Sequence, residues 1–126
     1  MNSPTAPPND RPPRILIVED EPMLAFVLEE VLIDAGFEVA GVATKLAAAL
    51  AVIESGGCDA AILDANLGGV SAGPAASALA ARGLPCLIVS GYSPDQLPGA
   101  FSGVLCLQKP CQPDRLIQAL RSILPA

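Results

Sequence analysis

No histidine occurs among the 126 residues, and aromatic residues make up only 3% of the chain. Without imidazole, and with no CxxC among Cys58, Cys86, Cys106 and Cys111, a zinc site or a disulfide framework is a poor fit. The thiols are read as reduced, as in a cytoplasmic protein. Basic residues are also few: seven Lys and Arg stand against thirteen Asp and Glu, a net charge of −6. Nucleic acid is therefore not expected as a direct partner, because phosphate backbones are held by Lys and Arg clusters. Apolar runs stop far short of the roughly 18–20 residues a membrane span needs, so no membrane segment is expected. The opening residues are polar and proline-rich and do not read as a signal peptide.

What the chain does have is aliphatic. Hydrophobic residues make up 52% and charged residues 16%, a globular balance. A core of Ala, Leu, Val and Ile suits helices packed on a buried parallel sheet. Residues 1–13 hold five prolines and almost nothing that packs, so they are expected to form a disordered tail. A single domain is expected over residues 14–126, with no internal repeat.

Within that domain short apolar runs alternate with helical segments. Ile15-Leu16-Ile17-Val18 reads as a strand covered on both faces. A helix follows over residues 22–35, with Pro22 in its first turn and Gly36 just past its end. Residues 38–43 form a second, weaker strand. Thr44 is the expected N-cap of an Ala-rich helix running to about Ser55. Residues 60–63 are a third strand that ends at Asp64, and a short glycine-bearing loop leads to an abbreviated helix over residues 73–81. Strands over 85–89 and 104–107 and a last helix over 114–124 complete the pattern. Strand–helix alternation at this spacing implies right-handed βαβ units and an open, doubly wound five-stranded parallel α/β sheet with helices on both faces.

Polar residues collect where such sheets bind ligands, beyond the carboxyl ends of the strands. Strand one is followed by Glu19, Asp20 and Glu21, and strand three by Asp64. Strand four ends in Ser90 and Gly91, strand five in Gln108, Lys109 and Pro110. Clustered carboxylates repel unless something positive lies among them. Oxygen-only donors select a hard cation, Mg²⁺ first, and such a metal stabilises a phosphoryl group in transfer. Asp64 is the natural nucleophile, Lys109 a point charge for a phosphoryl oxygen, and Ser90 a hydrogen-bond donor to another. One at a time these residues have plainer readings. Glu19 and Asp20 could favour the positive end of the first helix, Lys109 could be a surface lysine, and Ser90 a turn former. The convergence of all four on one sheet edge is what favours the site.

Ile15-Leu16-Ile17-Val18-Glu19-Asp20-Glu21-Pro22, Ile62-Leu63-Asp64-Ala65-Asn66-Leu67, Leu87-Ile88-Val89-Ser90-Gly91 and Lys109-Pro110, in this order and each at a strand end, resemble a response-regulator receiver domain of bacterial two-component signalling. The resemblance runs from about Arg14 to the C-terminus and implies the flavodoxin-like receiver fold. It implies that Asp64 is the phosphoacceptor and that Mg²⁺ is held by Asp20, Asp64 and the Asn66 carbonyl, with Glu19 acting largely through water. Ser90 takes the place of the hydroxyl residue that moves toward the phosphate, and Lys109 that of the family lysine, its bond to Pro110 usually cis. A chain without histidine cannot be its own donor, so a sensor histidine kinase or histidine phosphotransfer protein is implied, together with an unnamed downstream protein. The domain is then a cytoplasmic switch or phosphate sink in a phosphorelay, with only intrinsic autophosphorylation and autodephosphorylation chemistry, and not an enzyme. It is implied to be a monomer or a phosphorylation-dependent homodimer.

The sequence also departs from the family pattern. Cys106 stands where the family often has Tyr or Phe, and Ser90-Gly91-Tyr92 resembles a subgroup with a Thr-Gly-Tyr-like motif that lacks that aromatic. Pro94, Pro98, Gly99 and Gly103 leave little room for a normal fourth helix, because an interior proline costs about 3 kcal/mol. A short or distorted element is expected there. Two other functions stand beside the phosphoacceptor. One is a pseudo-receiver that binds proteins without phosphorylation. The other is a Mg²⁺-dependent phosphatase of the haloacid dehalogenase type, which places its nucleophile after the first strand and a second Asp two residues on. Here Asp64 follows the third strand, and Asn66 takes the place of that second Asp.

Overall fold

The computed structural model describes residues 11–93, 96–97, 99–101 and 103–125. Residues 1–10 of the expected tail lie outside these, as do Pro94 and Pro98. Pro13 is described, and its carbonyl accepts a hydrogen bond from Glu38 N–H at 3.1 Å.

Among the described residues, seven strands and four α-helices follow one another as β1 (Arg14–Val18), α1 (Pro22–Asp34), β2 (Glu38–Ala43), α2 (Leu46–Glu54), β3 (Ala60–Asp64), β4 (Asn66–Leu67), β5 (Val70–Ser71), α3 (Gly73–Ala81), β6 (Cys86–Ser90), β7 (Leu105–Gln108) and α4 (Pro113–Ile123). Five of the strands make one parallel sheet in the order β2-β1-β3-β6-β7. The chain winds one way from β1 to β2 and the other way from β3 onward. The switch point therefore lies between the carboxyl ends of β1 and β3, where ligands bind in open sheets.

The apolar runs explain the sheet's position. Residues 15–18 are almost fully buried, and their side chains alternate between two cores. Ile15, Ile17, Ile62 and Leu87 pack with Ala25 and Leu32 of α1 and with Leu116 and Leu120 of α4. Leu16, Val18, Leu63 and Ile88 pack on the other face with Ala49 and Ile53 of α2 and Ala75 and Leu79 of α3. A central strand covered on both sides has no solvent face to keep polar, hence the unbroken β-branched and leucine run.

Helix ends follow backbone more than side-chain capping. Pro22 opens α1, and Gly36, at φ +91°, takes the left-handed position past its end. Thr44 is not the cap of α2. That helix starts one residue later than expected, with Lys45 at the N-cap and no side-chain hydrogen bond, so the threonine hydroxyl lies outside the capping position. Between β6 and β7 the described residues carry no α-helix; Gln96 and Gly99–Phe101 are in 3₁₀ conformation. The latter turn drops Phe101 into the core beneath α3. This is the abbreviated fourth element that the prolines and glycines of the segment foretell.

Candidate functional site

Sheet register brings the polar strand ends together. Val18 pairs with Leu63 and Asp64 with Val89, which sets Glu19 and Asp64 on adjacent strands at one level. Ser90 pairs with Gln108, so Lys109 emerges beside it.

Glu19 extends β1 by one backbone bond, donating its N–H to Ala43 O at 3.0 Å. Its side chain is only 3% exposed. Oε2 accepts the Glu21 N–H at 3.1 Å, and Oε1 accepts from Lys109 Nζ at 3.2 Å. Burial pushes the Glu19 carboxyl above the usual range. The Glu21 N–H opposes this, the Asp64 charge adds to it, and Lys109 opposes it. Lys109 also donates to Asp64 Oδ2 at 3.2 Å. Burial alone would lower its ammonium, but the Asp64 and Glu19 carboxylates prevail and hold it above the ordinary lysine value.

Asp64 is held on its other oxygen too, where Oδ1 accepts the Asn66 N–H at 3.2 Å. Each carboxylate oxygen thus has a partner from a different segment. Asn66 is exposed in β4, and its Oδ1 accepts the Gly69 N–H at 2.6 Å. One carboxylate oxygen from each of Glu19, Asp20 and Asp64 lies within 4.8 Å of the others. Three carboxylates against one ammonium leave two negative charges uncompensated, and all the side-chain donors are hard oxygens. That donor chemistry fits a hard divalent cation.

Ser90 is 2% exposed, and two bonds hold it at the strand end. Its Oγ accepts the Tyr92 N–H at 3.0 Å, and its carbonyl accepts the Lys109 N–H at 2.7 Å. The Lys109–Pro110 peptide bond is cis. Cys106 is half-buried in β7 and donates its thiol to Val104 O. Tyr92 is 57% exposed, and Cys106 pairs with Ile88 across β6 and β7. All four thiols are free and raised by burial, Cys86 to about 11, which leaves them protonated and unreactive near neutrality.

The six residues singled out from sequence therefore meet in space: Glu19, Asp20, Asp64, Asn66, Ser90 and Lys109. Sequence reading missed three backbone contributors. Glu21 N–H fixes the Glu19 carboxylate, and Tyr92 N–H occupies the Ser90 hydroxyl. The third is the Gly68–Gly69 pair, which folds the expected loop after Asp64 into the β4–β5 hairpin. The signal for that hairpin was a Gly-Gly pair between Leu67 and Val70.

Comparison with known proteins bears on the whole arrangement. The response regulator receiver domain family matches residues 15–121. The chain is similar to the solution structure of SdrG from Sphingomonas melonis Fr1. Identity is 43% and the TM-score 0.77, over 89% of this chain and 96% of that one. It is also similar to a CheY-like receiver domain protein from Methanospirillum hungatei JF-1, with 25% identity and a TM-score of 0.77 over 88% of this chain and 92% of that one. The response regulator PhyR from Brucella abortus gives 26% identity and a TM-score of 0.78, over 90% of this chain but 48% of that longer chain. No protein of curated function matches. With its sheet order, its strand-end acids and lysine and a family match spanning nearly the whole domain, the chain belongs to the response regulator receiver domain family.

Proposed function

We propose that this receiver domain accepts a phosphoryl group on Asp64 from a phosphohistidine donor, with Mg²⁺ bound at the acidic cluster. The observation that carries the reading is the packing of Glu19, Asp20 and Asp64 oxygens within 4.8 Å of one another beside the Lys109 ammonium. Asp20, Asp64 and the Asn66 carbonyl would hold the cation, with Glu19 in support. When bound, it would neutralise the carboxylates and the charge on the transferring phosphoryl oxygens.

An Asp64 oxygen forms the new O–P bond as the N–P bond to the donor imidazole breaks, the electron pair leaving on that nitrogen. Lys109, already on Asp64 Oδ2, exchanges part of that contact for a phosphoryl oxygen. Ser90 gives up its role as acceptor for Tyr92 N–H and turns its hydroxyl toward another phosphoryl oxygen. The Ser90–Tyr92 segment then settles into a second arrangement, which is how a local charge event becomes a surface signal. The domain works as a switch or a phosphate sink rather than as an enzyme. Its partners are a histidine kinase or phosphotransfer protein and a downstream protein, in the cytoplasm. Among the described residues no helix is long and apolar enough to cross a membrane.

A second reading, a protein-binding module that works without phosphorylation, draws on the absence of an α-helix among the described residues between β6 and β7. Intact mass separates the two. Incubation with acetyl phosphate and Mg²⁺, and separately with a phosphorylated histidine phosphotransfer protein, is expected to add one phosphoryl group. The gain should vanish in Asp64→Asn and with EDTA. A folded protein that gains no mass from either donor would favour the binding module.

A further inference from the structure

The segment after Asp64 is built more tightly than a connection requires. Leu67 and Val70 pair across Gly68 and Gly69, whose φ angles are +61° and +94°. Positive φ at both central positions belongs to the type I′ turn, which matches the twist of a two-residue hairpin. The pair flanking such a turn exchanges ladder hydrogen bonds, and the next pair, Asn66 and Ser71, does not. One step further the bonding resumes, with Ala72 N–H on Ala65 O at 3.0 Å. The N–H and C=O of Asn66 therefore both face away from Ser71. The N–H is found on Asp64 Oδ1 at 3.2 Å, and the carbonyl leaves the strand on that same side, toward the acids. A Cβ built on Gly68 would stand 3.4 Å from Asp20 Oδ2, an ordinary van der Waals distance, so position 68 has room for a side chain.

We infer that the Gly68–Gly69 turn is a positioning element for the divalent cation. It sets the hairpin register that directs the Asn66 carbonyl at the cluster. The inference rests on the reading of the cluster as a cation site. A slip of one residue would draw the Asn66 carbonyl into the hairpin ladder and away from the metal. Asn66 Oδ1 on Gly69 N–H opposes that slip by tying the residue across its own turn.

The test is Mg²⁺ titration calorimetry on the full chain, with Ala72 amide exchange and metal-free melting as companion readouts. Gly69→Val puts a β-branched residue at positive φ, and Gly68→Asn makes the Asn-Gly pair that type I′ turns favour. Gly69→Val should weaken Mg²⁺ binding about tenfold or more, the usual effect of losing support for a metal ligand, and should speed Ala72 exchange. Gly68→Asn should bind within about threefold of wild type and protect Ala72 as wild type does. Should Gly69→Val not fold, Gly69→Ala serves in its place. Unchanged affinity in the folded Gly69 variant, with only its melting lowered, would make the turn merely structural and overturn the inference while the cation site stands. Equal loss of affinity in Gly68→Asn would overturn it as well. A wild-type domain that binds no Mg²⁺ would remove the cation site itself, a result distinct from either.

Discussion

Lys109 Nζ stands 3.2 Å from Asp64 Oδ2 and, with the same ammonium, 3.2 Å from Glu19 Oε1. Without the cation, this lysine is the positive charge paired with two carboxylates that are almost withdrawn from water. Lys109→Met is expected to destabilise the metal-free domain by about 1.5–3 kcal/mol, the range for hydrogen bonds to charged groups. The check is the urea midpoint at neutral pH, and added Mg²⁺ should recover part of the loss.

Asp20 has the opposite role in the metal-free state. Among the described residues no hydrogen bond or ion pair holds its carboxylate, while Glu19 and Asp64 oxygens lie close by. Asp20→Asn should therefore raise metal-free stability, because it removes one of three crowded negative charges. The same variant should lose most of the stabilisation that Mg²⁺ confers on wild type. Paired thermal melts with Mg²⁺ and with EDTA test both halves.

At the other end of the sheet, Arg14 grips Asp59 with Nε and Nη2, and its backbone N–H adds a third bond at 2.8 Å. The Arg14 side chain holds the Asp59 carboxyl below the usual range, burial opposing it. An acid with a depressed folded pKa contributes stability above its unfolded pKa, about 3.9, and loses it as pH falls through the folded value. Melting temperatures of wild type and Asp59→Asn should thus differ at pH 6 and converge as the pH falls below the depressed folded value. A constant difference across that range would show that shape, not charge, sets the effect.

Ser90→Ala removes the acceptor for Tyr92 N–H from a buried position. The Tyr92 amide should exchange several-fold faster, and stability should fall by about 1 kcal/mol. Ser90→Thr, which keeps the hydroxyl, should restore slow exchange.

Much of this arrangement was legible in the sequence because burial leaves a plain mark. Residues 15–18 and 60–63 are unbroken apolar runs because both faces of the sheet are covered, and each run stops at an acid of the cluster, Glu19 or Asp64. Glu19, Asp20, Asp64, Ser90 and Lys109 could be placed together because strand ends in a parallel sheet share one edge. What stayed hidden depended on backbone geometry. Thr44 looked like a cap, yet the start of α2 was decided by packing of Leu46 and Ala49 on the sheet. The β4–β5 hairpin has strands of two residues each, too short for alternation to show. The bonds from Glu21 N–H and Tyr92 N–H belong to the main chain, which any residue but proline supplies, so side-chain identity could not reveal them.

The two oxygens of Asp64 answer to different parts of the chain, Oδ1 to the hairpin through Asn66 and Oδ2 to the β7–α4 connection through Lys109. A group added to this carboxylate must disturb both tethers in one event. Resonances of Asn66 and Lys109 should then shift with a single shared rate constant, as two clocks driven by one spring.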